Sequence, residues 1–171
     1  MTPIHELSHA VRSRRSDMGI TQTGLAKLSG LSRATVSQVE HGTIKDLSLT
    51  RAARLCGVLG LAVSVSSPRA MSRRVEGRTL PLELAARTAS VSYREPLSAD
   101  QLRQILTSAS FATRQFLPHV RSLLEEASVS LLASVVEQLH EEDGMDRVSA
   151  WQHMRELARS MKTGRDIWKR D

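Results

Sequence analysis

Arg33, Ala34, Thr35, Ser37 and Gln38 lie within seven consecutive residues, interleaved with Val36 and Val39. The two valines are about one helical turn apart, so a helix seated on them would turn the other five outward. Their chemistry is that of recognition. The Arg33 guanidinium can offer two parallel donors to N7 and O6 of guanine, and the Gln38 amide can pair both of its polar atoms with adenine. Nowhere does the chain set a nucleophile beside an oriented base, form a phosphate-binding glycine loop or pair carboxylates for acid and base work. His5 and His9 stand one turn apart but lack a third ligand, and read as surface. No enzymatic activity, cofactor or metal is expected.

Residues that read bases need a rigid mount, and the flanking sequence supplies one. Leu7, Ala10, Val11 and Met18 trace one face of a first helix that Gly19 stops. Thr21 caps a second helix presenting Leu25, Ala26 and Leu28, and Gly30 ends it in the left-handed conformation that a tight turn requires. Ser32 then caps the helix of Val36 and Val39. Two helices joined by a glycine turn form a helix-turn-helix, whose second helix enters a major groove. Counted from Gln22, Ala26 is the small residue at the helix crossing and Gly30 the turn glycine, with Leu25, Leu31, Val36 and Val39 apolar. Ser48 caps a fourth helix closing at Gly60, with Leu47 as a hydrophobic staple and Leu49, Ala52, Ala53, Cys56 and Leu59 at helical spacing. In residues 61–66, Leu61, Val63 and Val65 alternate with Ala62, Ser64 and Ser66, the period of a short β-strand.

Charge supports the same partner. Residues 1–78 hold 12 Lys and Arg against 5 Asp and Glu, a net +7, while residues 79–171 hold 12 against 13. A surplus concentrated in one half is the footprint of a polyanion. All the aromatic residues, Tyr93, Phe111, Phe116, Trp151 and Trp168, fall in the other half. Single strands are gripped by stacking on rings, so a basic half without rings points to duplex DNA. Arg12, Arg14, Lys27, Lys45 and Arg51 are candidates for sequence-independent phosphate attraction. The lone Cys56 excludes an intrachain disulfide and reads as a buried thiol in a reducing compartment. No apolar run is long enough to span a membrane and the first residues lack a signal peptide's apolar region, so a cytoplasmic location is expected.

With four helices in this order, residues 5–61 resemble the phage repressor and Cro family, the xenobiotic-response-element type of helix-turn-helix. The likeness covers about a third of the chain and includes Arg15, Gly19, Thr21 and Gln22 leading into the second helix, and Glu40 and Gly42 closing the third. It implies that Gln22 contacts a phosphate, that Arg33, Ala34, Ser37 and Gln38 face base edges, and that His41, Thr43 and Lys45 meet the DNA backbone. It also implies that Arg15 pairs with Glu40 as architecture. Gly24, inside the second helix, departs from the pattern and is read either as a close approach to DNA or as simple tolerance.

The expected organisation is all-α: a helix-turn-helix domain over 1–67 with its strand at 61–66, a linker at 68–79 rich in arginine with a proline and a glycine, and a helical domain over 80–171. Stripes at Leu102, Ile105, Leu106 and Ala109, at Phe116, Val120, Leu123, Leu124 and Ala127, at Val129, Leu132, Val135, Val136 and Leu139, and at Trp151, Met154, Leu157, Ala158 and Met161 predict four helices. A shorter helix is expected over LPLELAARTAS. Glu137, Glu141, Glu142, Asp143 and Asp146 form an acidic run, read as a solvated helix end or as a patch for a basic partner. The expected function is a transcriptional regulator, a repressor occupying a palindromic double-stranded DNA operator as a homodimer joined through the strand. The alternative is an antitoxin that represses its own operon and neutralises a toxin partner through residues 80–171.

Overall fold

The computed structural model describes residues 3–64, 80–108 and 115–169. Every regular element among them is helical: α1 Pro3–Asp17, α2 Gln22–Ser29, α3 Arg33–Glu40, α4 Leu49–Val58, α5 Pro81–Ser90, α6 Ala99–Thr107, α7 Leu117–Glu126, α8 Val129–Asp143 and α9 Arg147–Ser160, followed by a 3-10 turn at Asp166–Trp168. The helix starts follow their capping residues. Thr21, Ser32, Ser48, Ser98, Ser128 and Asp146 each accept a backbone N–H from the first turn, satisfying a donor that the helix cannot. At Ser98 the bond is reciprocal, with the Gln101 side chain accepting from the Ser98 N–H.

The expected strand is not seen among the described residues. Residues 61–64 run irregularly, and 65 and 66 lie outside the described residues, as does the expected linker at 68–79. The cause lies in how α4 ends. Gly60 adopts φ +68° and the Leu61 N–H turns back to the Cys56 carbonyl at 2.9 Å, so the first residue of the alternating run closes a helix. A ladder would also need a partner strand, and the described residues contain none. The inward face of α4 is rotated from expectation as well. Ala52, Leu55, Cys56 and Leu59 are buried, whereas Ala53 is exposed and Leu49, in the first turn, is 68% exposed. Burial pushes the Cys56 thiol up from its ordinary range.

In the second half the apolar stripes are where helical spacing puts them. Leu102, Ile105 and Leu106 of α6, Val120, Leu123 and Leu124 of α7, Leu132, Val135, Val136 and Leu139 of α8, and Trp151, Met154, Leu157 and Ala158 of α9 are all buried; Ala109 and Phe111 lie outside the described residues. Trp151 and Trp168 are core residues 6.2 Å apart, and Trp168 Nε1 donates to the Leu124 carbonyl at 2.9 Å. The buried Gln138 of α8 accepts from the Leu82 N–H at 2.9 Å, capping α5 from another helix in place of a local side chain.

The halves pack on each other, α1 against α9 and α4 against α8. At the second contact Gly60 is irreplaceable on two counts. A Cβ there would lie 2.8 Å from the Val129 carbonyl oxygen, and the backbone is left-handed. We expect Gly60→Ala to lower unfolding free energy by about 2 to 4 kcal/mol in urea titrations. Gly57→Ala, three residues earlier on α4 with open space around it, should raise it by about 0.5 kcal/mol.

Candidate nucleic-acid interface

The α2–turn–α3 unit is built from its caps outward. Gly30, at φ +67°, reverses the chain with the Leu31 N–H bonded to Ala26 O at 3.0 Å. Ala26 is buried at the crossing, where a larger side chain would hold the helices apart. Val36 and Val39 are fully buried and fix the rotation of α3. Arg33, Ala34, Gln38 and His41 are therefore exposed, with Thr35 and Ser37 half-buried on the flank.

One carboxylate ties the unit together. Arg15 on α1 donates from Nε to Glu40 Oε1 at 2.5 Å and from a terminal nitrogen to Glu40 Oε2 at 3.0 Å, while its other nitrogen reaches the Ile20 carbonyl at 2.9 Å. Gln22, the first residue of α2, donates to Glu40 Oε2 at 3.0 Å. Three helices thus meet at a side chain only 2% exposed. Burial alone would push the Glu40 carboxyl up, but the hydrogen bonds from Arg15 and Gln22, with the charges of Arg15 and Arg12, hold it below the usual carboxylate range.

This bond changes how Gln22 can meet a phosphate. One amide hydrogen is engaged, which leaves the second, together with the positive end of the dipole at the start of α2. The Thr35 and Ser32 hydroxyls share a hydrogen bond at 2.8 Å. His41 Nδ1 lies 2.7 Å from Ser37 O; a carbonyl only accepts, so Nδ1 carries the hydrogen and a phosphate contact through Nε2 requires the imidazolium. Thr43 and Lys45 are exposed beyond α3, and the Thr43 N–H is bonded to Gln38 O at 3.0 Å. The structure thus brings Arg33, Ala34, Ser37, Gln38 and His41 to one face of α3.

Of the five cations proposed for phosphate attraction, Arg12, Lys27, Lys45 and Arg51 are exposed. Arg14 instead pairs with Glu137 of α8 at 3.1 Å, and Glu137 also accepts from Arg147 at 2.8 Å. Arg155 of α9 donates to the Met18 carbonyl and lies over Gly19, just before α2 begins. Sequence reasoning passed over Arg155, because nothing local to an arginine on an amphipathic helix reports a carbonyl 137 residues away. Gly24 is buried within α2 and lines a crevice with Leu28, Arg155 and Ile167. The acidic run is partly engaged within the chain, Arg103 pairing with both Glu142 and Asp143. His5 packs against Gly42 and His9 is exposed, and no group of three potential metal ligands exists among the described residues.

Residues 11–65 match the Helix-turn-helix family model, consistent with a segment of the phage repressor and Cro type. The match supports a DNA-binding transcription regulator. No curated protein and no solved structure matches the chain. No helix among the described residues is long and apolar enough to cross a membrane.

The Glu40 hub predicts an acid response. Its carboxyl is depressed in the folded state, so its contribution to stability is complete above the unfolded glutamate range and is lost as pH falls through the folded value. Glu40→Gln should cost about 2 to 3 kcal/mol at pH 7 and flatten the acid limb of a stability profile measured by urea titration from pH 7 to 3. A parallel pair of curves would show that the carboxyl's charge contributes nothing.

Proposed function

We propose that the chain is a repressor that occupies a palindromic duplex operator as a homodimer and blocks transcription from it. The observation that carries this reading is the outward face of α3, where Arg33 and Gln38 are exposed while Val36 and Val39, fully buried, hold the helix in a fixed rotation. Base-reading groups on a rigid mount are what direct readout requires. The basic surplus of residues 1–78 supplies the phosphate attraction that brings the duplex close. One recognition helix reads only a few base pairs, so two copies on half-sites about 34 Å apart are needed for a unique address. Such a protein works beside the chromosome, in the cytoplasm, and needs no cofactor.

A strand after α4 would fit the antitoxin alternative slightly better, but residues 61–64 are irregular. With two of the acidic run's carboxylates engaged by Arg103, its proposed docking patch is also reduced.

Selection of the full chain on randomised duplexes should enrich a sequence with two-fold symmetry. Arg33→Ala and Gln38→Ala should each lose about 1 to 3 kcal/mol of discrimination at one position per half-site. Lys45→Ala should weaken all sequences alike and reduce the slope of log affinity against log salt by about 1 for each copy bound. Absence of any enriched sequence would overturn the reading, and unchanged preference in Gln38→Ala would remove α3 from the groove.

A further inference from the structure

Seven large apolar side chains are exposed among the described residues, and four of them, Leu80, Leu84, Val91 and Tyr93, lie on α5 and its flanks. Tyr93 is held by stacking on His119, with ring centroids 3.9 Å apart. The other three form a line. Leu80 is 50% exposed, Leu84 45% and Val91 84%, and with Arg87 they recur at intervals of four, three and four residues, the spacing of a helix-pairing seam. The opposite face of α5, with Leu82, Ala85, Ala86 and Ala89 buried, is already used against α6, α7 and α8. No element among the described residues covers the line.

From the charges beside this seam we infer that its occupant is a second copy of the chain, with α5 packing antiparallel on the partner's α5 across a two-fold axis. Glu83 and Arg87 are exposed, and neither has an ion-pair partner among the described residues. Set antiparallel about a point midway between residues 85 and 86, Leu80 comes opposite the partner's Val91, and Leu84 opposite the aliphatic stem of the partner's Arg87. The guanidinium of that arginine then lies beside Glu83. Both contacts repeat on the other side of the axis. A surface whose apolar ends meet each other and whose two charges exchange under rotation is self-complementary, as an isologous interface must be. α5 has ten residues, about 15 Å of helix, so the pairing buries less than a standard interface and gives a weak dimer completed on DNA. This inference rests on the dimeric operator reading and supplies the join that a strand over 61–66 was expected to make.

The test is sedimentation equilibrium on the full chain, with circular dichroism to verify folding and binding measured on the selected palindrome and on its half-site. Arg87→Glu places two carboxylates together on each side of the axis and should raise the dimer dissociation constant about tenfold or more, as should Leu84→Glu. Combining Glu83→Arg with Arg87→Glu should restore the parental constant, which a local folding defect would not do. If both single variants dimerise like the parent, or if the exchanged pair fails to restore association, the α5 assignment is overturned and the operator reading stands. If the parent binds the selected site as one copy at all concentrations, the dimeric reading falls, and the α5 join with it.

Discussion

Glu40 is nearly closed off from water, and a carboxylate in that position is tolerable only when its oxygens are fully engaged. The donors that engage it come from α1 and from the first residue of α2, while the carboxylate itself ends α3. Their geometry sets the distances among the three helices more tightly than apolar packing alone, because a bidentate arginine contact has direction as well as strength. Arg15 also holds the Ile20 carbonyl, so the turn leading into α2 hangs from the same guanidinium. The outward rotation of Arg33 and Gln38 depends on α3 being anchored at this end by Glu40 and along its length by Val36 and Val39.

The same economy governs the charge surplus. Part of it is internal: Arg15 serves Glu40, and Arg14 serves Glu137 in the other half of the chain. Among the described residues of the first half, the exposed cations are Arg12, Lys27, Arg33, Lys45, Arg51 and Arg54. Asp17 stands near the seam between halves, and burial raises its carboxyl while Arg14 and Arg147 pull it down. Burial wins. Ionised Asp17 therefore costs the fold a little stability above its folded value and costs nothing below the unfolded one.

Much of this was legible in the residues. Thr21, Gly30 and Ser32 announce the turn through capping and left-handed preference, which act over three or four residues and need no tertiary knowledge. The four apolar stripes of the second half were readable for the same reason. The alternation of residues 61–66 misled because period two reports only what a segment could do if a neighbour paired with it. Leu61 shows the competing demand, a carbonyl at the end of α4 that wanted its N–H. Leu49 illustrates the phase error inherent in a ten-residue helix, where one position of rotation moves a side chain from core to water. The surroundings of Gly24 and the partners of Arg14 and Arg155 depend on how distant helices pack, information that no short window contains. Which bases Arg33 and Gln38 address lies outside the fold altogether.

Arg155 reaches across from α9 to the carbonyl of Met18, at the threshold of α2. A cation placed there opposes the negative end of the α1 dipole and fills the space over Gly19, so the segment between α1 and α2 is held from the side of Arg15 and from the side of α9. Thermodynamic reciprocity follows from that shared segment. If duplex binding shifts that segment, whatever free energy links it to the seating of α9 acts equally in both directions.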